Sequence, residues 1–443
     1  MEEIFLLKQA KVIACLTFCV TILSLTAILA LGKPEVVYQG PDVFIITDDE
    51  EYSITDHIWS PDGTKIAYVK CLEGQLWKGE LWVADKSPTS AELSNEQLIY
   101  TGVDGYGLAD WLGDWLLVMV RTEEGTPGEY YGRNELWKIR DDGTDLKQVT
   151  FSYSNGIRTE WWNTAYTNRG TVNWGKIIPG TDLVYFSAHN GNGWYKAYTC
   201  KADGTDQYQL ISENYYSFTI ALSPTGNKLV WGHATYWNNP TTLMASNADG
   251  SHRFTIKAFD YRTFPLVLAD GNTIIYSFAP ADGNIYAIDI EPPGSNQRTV
   301  IDDEYTNSWA NYNPVDEQSL LMISDRAPDG NQHVFRINVN GTDIVQLTEG
   351  PYDDESPAYS PDGKYILYRR LPDDYDKENN SPPYPYELVV RNSSASVSNR
   401  IPVPIRPLES SNATTFTSFS GVPTVLLALV VVSSVLYRRK RIK

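Results

Sequence analysis

The feature that most constrains this chain is a unit of strand and turn that repeats along it. Residues 319–368 read by period as strand, turn, strand, turn, strand. The apolar or alternating runs Leu320–Ser324, Val334–Val339 and Ile344–Leu347 are separated by Asp-Gly and Asn-Gly turn signals. The unit restarts at Ser360-Pro361-Asp362-Gly363, before the run Tyr365–Tyr368. The same signature stands near the front as Ser60-Pro61-Asp62-Gly63, before Ile66–Val69. Self-similarity of this size selects a repeat architecture of small sheets rather than long helices.

Two rulers set the count. The turn after each innermost strand is predicted at Pro61, Gly113, Pro179, Pro224, Ala269, Pro314 and Pro361, with steps of 52, 66, 45, 45, 45 and 47. A second turn recurs as Asp142-Gly143-Thr144, Asp203-Gly204-Thr205, Asp249-Gly250-Ser251 and Asn340-Gly341-Thr342. Together they predict an all-β, seven-bladed propeller of four-stranded antiparallel blades, with six or eight blades as the alternatives. A ring must close, since an open one leaves an unpaired sheet edge. Residues 42–47, DVFIIT, match the outermost-strand pattern of 343–348, DIVQLT, so they are expected to complete the last blade from the N-terminal side.

The repeat resembles that of TolB-like (WD40-like) propeller proteins, also found in the propeller of prolyl-oligopeptidase relatives. Ser324-Asp325-Arg326, Asn340-Gly341-Thr342, Leu347-Thr348 and Ser360-Pro361-Asp362-Gly363 carry the likeness, which covers residues 36–405. It implies a fold well and a function poorly, because propellers host unrelated functions. No G-x-S-x-G elbow occurs, and no segment is left over for the hydrolase domain of the oligopeptidase relatives.

The two ends read as membrane segments. Residues 12–31 are an uncharged run of 20 behind Lys8 and Lys11, so residues 1–32 are a signal peptide or an N-terminal anchor. Residues 416–437 form a second hydrophobic helix, followed by the basic tail 438–443, which belongs on the cytoplasmic side. A stalk at 406–415, with 391–405 its possible start, would join propeller to membrane and display it on the extracellular side. The arrangement resembles the C-terminal signals of archaeal surface proteins, although Ser420-Gly421-Val422-Pro423 matches no motif of that kind. Sequons at Asn379, Asn392 and Asn412 fit an external, glycosylated address, whereas the one at Asn340 lies in a tight turn.

Net charge is −19; the tail carries five positive charges and the first 11 residues balance, so the part between carries −24. That field argues against nucleic acid and anionic membrane surfaces as partners and favours cations or basic proteins, the competing reading being solubility in a salty exterior; the expected partner is an envelope protein or glycan. Cys71 and Cys200 fall in non-neighbouring repeats, which argues against a disulfide, and no cysteine or histidine shows metal-ligand spacing.

Binding is expected on the face that carries the long loops Glu123–Asn134, Phe151–Gly175, His233–Thr241 and Pro372–Tyr386. Trp161, Trp162, Tyr166 and Trp174 on one of them, with Tyr236 and Trp237 on another, form a candidate aromatic platform for a sugar or protein ligand; the competing reading is a plug in the channel top. Asp48, Asp49, Asp302, Asp303, Asp353 and Asp354 precede three neighbouring inner strands and form a candidate Ca²⁺ site; the competing reading is a structural acid of the repeat. No other cofactor is implied. His189 and His233 are the pair considered for acid/base chemistry. The expected function is a membrane-anchored binding or scaffolding module of the cell envelope, with no catalytic residue assigned. The alternative is an envelope enzyme, cleaving glycans or peptides at the channel mouth.

Overall fold

The computed structural model describes residues 35–38, 42–47, 52–72, 75–76, 78–121, 134–150, 153–154, 157–158, 170–178, 180–190, 195–206, 208–210, 216–234, 241–260, 262–268, 270–279, 283–372, 375 and 385–394. Among them every regular element is a strand. β1 (Glu35–Tyr38) and β2 (Val43–Thr47) lead. A seven-stranded sheet follows: β3 (Tyr52–Trp59), β4 (Lys65–Leu72), β5 (Gly79–Lys86), β6 (Leu93–Leu112), β7 (Trp115–Arg121), β8 (Asn134–Arg140) and β9 (Lys147–Gln148). β10 (Tyr153–Ser154) and β11 (Ile157–Arg158) pair as a short hairpin.

Four four-stranded antiparallel sheets come next. They are β12 (Gly170–Ile177), β13 (Leu183–Asn190), β14 (Tyr195–Lys201) and β15 (Tyr208–Gln209); β16 (Tyr216–Leu222), β17 (Lys228–Ala234), β18 (Thr241–Asn247) and β19 (Phe254–Phe259); β20 (Arg262–Val267), β21 (Thr273–Ala279), β22 (Ile285–Asp289) and β23 (Arg298–Ile301); and β24 (Asn307–Asn313), β25 (Asp316–Ser324), β26 (His333–Asn338) and β27 (Val345–Gln346). The final sheet orders β28 (Tyr352–Tyr359), β29 (Tyr365–Pro372) and β30 (Glu387–Asn392) beside β2 and then β1.

The recurring turns explain why the strands end where they do. In Ser60-Pro61-Asp62-Gly63, the Gly63 amide donates to Ser60 O, the Lys65 amide to Ser60 Oγ, and the Thr64 amide to Asp62 Oδ1. Gly63 and Gly363 sit at φ +71° and +70°, where a side chain is strained, so the motif needs its glycine. The seven turn marks each fall within two residues after the end of β3, β6, β12, β16, β20, β24 or β28. These first strands touch one another, β3 with β6, β6 with β12, β16 with β20, and β24 with β28, as strands around a shared axis do.

The architecture is therefore an all-β propeller, with one correction. Five sheets stand as separate blades of four or five strands, but residues 52–148 form one sheet instead of two. β6 runs for 20 residues without a turn, pairing with β5 through its first half and β7 through its second. Val103 is the hand-over, facing Gly79 on one side and Val120 on the other. The last blade differs too, with five strands instead of four, because β1 adds outside β2. The ring closes as the sequence indicates: β2 pairs antiparallel with β30, Val43 opposite Arg391 and Ile46 opposite Leu388.

Apolar cores lie between successive sheets and also within the seven-stranded one. One joins Phe44, Ile46, Leu367, Leu388 and Val390 of the last sheet to Ile54, Ile66 and Tyr68 of the first. Another unites Ala67, Val69 and Leu81 with Leu116, Val118 and Val120 of the same seven-stranded sheet. Each such buried aliphatic side chain contributes about 1.5–3 kcal/mol. Cys71 and Cys200 are free and buried, as their separation requires. No helix among the described residues is long and apolar enough to cross a membrane; residues 1–32 and 406–443 lie outside those residues.

Candidate functional site

Two opposite-charge pairs stand side by side across β28 and β29, Asp354 facing Arg370 and Glu355 facing Arg369. Successive strand residues point to opposite faces, so the pairs part company. Asp354 and Arg370 go into the interior: the Arg370 Nε donates to Asp354 Oδ1 at 2.8 Å, and the guanidinium lies over the rings of Tyr352 and Tyr368. His333, fully buried on the neighbouring blade, places Nδ1 3.2 Å from Asp354 Oδ2 and Nε2 3.1 Å from Asp329 Oδ2. Burial works against charge on both groups. Arg370 outweighs it and holds the Asp354 carboxyl below its ordinary range, while Asp354 and Asp329 hold His333 above its own. This is a structural lock between two blades.

The other pair faces the first inner strand, and there the wall becomes irregular. Arg369 Nη1 donates to the Thr55 carbonyl, Nη2 lies 3.5 Å from Glu355 Oε2, and Nε has no hydrogen-bond partner among the described residues. The guanidinium centre is 4.6 Å from the Tyr386 ring and 5.8 Å from the Tyr106 ring. Tyr106 is 45% exposed. All three inner strands lose register at this level: β3 between Ile54 and Asp56, β6 between Val103 and Leu108, and β28 between Glu355 and Ala358. Ser356, in the last bulge, sits at φ +54°, a strained conformation for a residue with a side chain.

Half-buried titratable groups back this patch. Asp56 accepts the amides of His57 and Leu108 at 2.9 Å each, tying β3 to β6, yet burial pushes its carboxyl up to about 7. Burial, with the charge of Arg369, pushes His57 down to about 3. Among the described residues neither His57 nitrogen makes a hydrogen bond of normal geometry, and the Ser356 carbonyl favours its charged form. Asp104, raised by burial, accepts the Tyr106 amide and Asn134 Nδ2. A carboxyl raised in the fold stabilises fully below its ordinary value of 3.8 and loses that contribution as pH rises through about 7. Asp56→Asn keeps a carbonyl acceptor for Leu108 and is expected to flatten the melting-temperature profile between pH 4 and 8, with a gain of a few degrees at pH 8. An unaltered profile sinks that assignment.

The residues singled out in the sequence fall elsewhere. Trp161, Trp162, Tyr166, Tyr236 and Trp237 lie outside the described residues. Trp174 belongs to β12, opposite Ser187, and not to a loop. Asp48 and Asp49 also lie outside the described residues, while Asp302 and Asp303 are exposed before β24. Asp353 and Asp354 sit inside β28 rather than before it. Asp353 takes the Gln332 amide and Asp354 is held by Arg370. No group of three or more metal-ligating side chains occurs among the described residues. Asn392 ends β30, so residues 391–392 are blade and not stalk; its Oδ1 accepts the Ser394 amide and its Nδ2 donates to Asp42. Asn379 and Asn412 lie outside the described residues. His189 and His233 occupy β13 and β17, opposite Thr171 and Ser217.

Tyr106 and Arg369 went unread in the sequence, and Tyr386 figured there only as the end of the loop Pro372–Tyr386. One signal was present: Gly105-Tyr106-Gly107, an aromatic between glycines in a strand, marks a bulge or a close backbone approach.

No family model matches the chain, and no curated protein matches its sequence. Among solved structures, a puromycin hydrolase mutant complexed with PGG aligns with a TM-score of 0.56 at 12% identity, covering 82% of this chain and 55% of that one. A prolyl endopeptidase structure aligns at 0.51 and 12%, covering 72% and 46%. TolB from Acinetobacter baumannii aligns at 0.41 and 13%, covering 74% and 80%. The chain thus spans about half the length of the two enzymes. At these identities the likeness is one of fold.

Proposed function

We propose that this chain is a membrane-anchored, externally displayed propeller that acts as a binding module of the cell envelope, its ligand meeting the channel wall at Tyr106, Glu355, Arg369 and Tyr386. The observation that carries the reading is a coincidence of costs at one place: an exposed aromatic, a residue at positive φ, and an Arg369 Nε without a hydrogen bond among the described residues. Such costs persist where a ligand repays them. The apolar and basic segments at 12–31 and 416–443 support the anchored, external placement.

The seven-stranded sheet serves the ring as two blades, on this reading. Side chains of β4 and β7 share a core, whereas a flat sheet would hold those strands about 14 Å apart. The competing function, an envelope enzyme, has one specific support: Asp56, titrating near neutrality beside a neutral imidazole.

The test uses the full chain in detergent micelles over immobilised envelope glycans and peptides. Tyr106→Ala is expected to weaken capture by about 2 kcal/mol, roughly 30-fold, while leaving the melting temperature nearly unchanged. Unchanged capture sinks the site. Protease added to intact cells is expected to degrade the propeller and spare residues 438–443; a protected propeller overturns the topology.

A further inference from the structure

The chemistry of this wall selects among ligands, and we infer that the ligand of the Tyr106 patch is an uncharged sugar, stacked on the Tyr106 ring and hydrogen-bonded by Arg369 and Glu355. The inference rests on the binding reading above and narrows it.

The reasoning runs on charge and on the kind of hydrogen bond each group offers. A sugar hydroxyl both donates and accepts, so it is matched by a site that presents both. Glu355 only accepts and stands 26% exposed, and Arg369 beside it only donates and stands 10% exposed. A polyanion would meet Glu355, Asp56 and Asp104 with the Arg369 charge already engaged by Glu355 and the Thr55 carbonyl. Asp56 and Asp104 are already raised by burial, and an added negative charge disfavours their ionised forms further. A cation would have to approach the Arg369 guanidinium. A neutral polyhydroxyl ring meets neither penalty. It gains a flat partner in Tyr106, whose ring is backed on its other flank by the guanidinium.

The stacking surface is also fixed in place. The Tyr106 amide donates to Asp104 Oδ1 at 3.1 Å, and the Gly105 amide donates to the Leu76 carbonyl. A Cβ on Gly107 would stand 2.6 Å from the Asp104 carbonyl oxygen and 2.9 Å from that of Met119, so the strand can present the ring this way only with glycine there. A preorganised aromatic loses little freedom when a ligand lands on it.

The experiment titrates the full chain in detergent micelles, by calorimetry, with three probes: neutral hexose and N-acetylhexosamine trisaccharides, a uronic-acid trisaccharide, and a Lys-rich peptide. The neutral sugars are expected to bind, Tyr106→Phe to stay within about threefold, and Tyr106→Ala and Arg369→Lys to lose roughly tenfold or more. If the uronide or the peptide binds in a Tyr106-dependent way and the neutral sugars do not, the patch stands as a binding site and the sugar inference falls. If no probe shows Tyr106-dependent binding, both fall. Should Tyr106→Ala fail to fold, hydrogen-exchange protection of residues 103–108 on adding neutral sugar decides, and its absence overturns the inference.

Discussion

Arg370→Ala is expected to lower stability by about 3–5 kcal/mol, read as a fall in the urea midpoint, because it strands the Asp354 carboxylate in the interior. The side chains are 4% and 0% exposed, so water cannot take over the role of the guanidinium. A double change, Arg370→Met with Asp354→Leu, removes both charges and is expected to recover much of the loss. The pH dependence follows from the same lock. Asp354 lies below its ordinary value, so its contribution is full above pH 3.8 and fades as pH falls through the lowered value. His333 lies above its ordinary value, so its contribution is full below pH 6.5 and fades as pH rises through the raised one. The lock is therefore complete between about pH 4 and 6.5. A cost for Arg370→Ala under about 1 kcal/mol means the lock is idle.

Deletion of residues 1–47 is expected to yield a chain that aggregates. Phe44, Ile45 and Ile46 are at most 1% exposed, so their burial contributes roughly 5–9 kcal/mol, comparable with the whole stability of a typical domain. The loss also bares the edge of β30, a ready template for intermolecular pairing. A peptide of residues 33–49 added during refolding is expected to restore soluble monomer by filling the vacant place. A deleted chain that purifies as a monomer with an unchanged melting temperature rules out the closure as a source of stability.

The sequence made some of this legible. The Ser-Pro-Asp-Gly turn announces itself because each residue in it has a local task, and the closing strand is readable because β2 repeats an outer-strand pattern. The joined sheet was hidden: Thr101-Gly102-Val103-Asp104-Gly105 looks like a turn by composition, yet the strand β6 continues through it. The acidic pair Asp353-Asp354 misled for another reason. The partners of Asp354 and of the next residue, Glu355, are Arg370 and Arg369 in the following strand, so only the register shows that these two carboxylates lie on opposite faces, with Asp354 locked inside. The Tyr106 patch could not be read as a motif, because it draws single residues from β6, β28, β29 and the residue before β30, the first some 250 positions from the second.

The fifth strand of the closing blade has a mechanical consequence. Val43 of β2 stands beside Arg391 of β30, so a chain leaving directly from β2 would exit next to β30's own exit, and tension would open the ladder one bond at a time. β1 doubles back, carrying the exit to Glu35 beside Thr47, at the opposite end of the sheet. Tension between the two ends then acts along the strands, and the hydrogen bonds of both ladders share the load as a shear clamp. A blade fastened this way resists tension applied between its two ends where an unzipping seam would give.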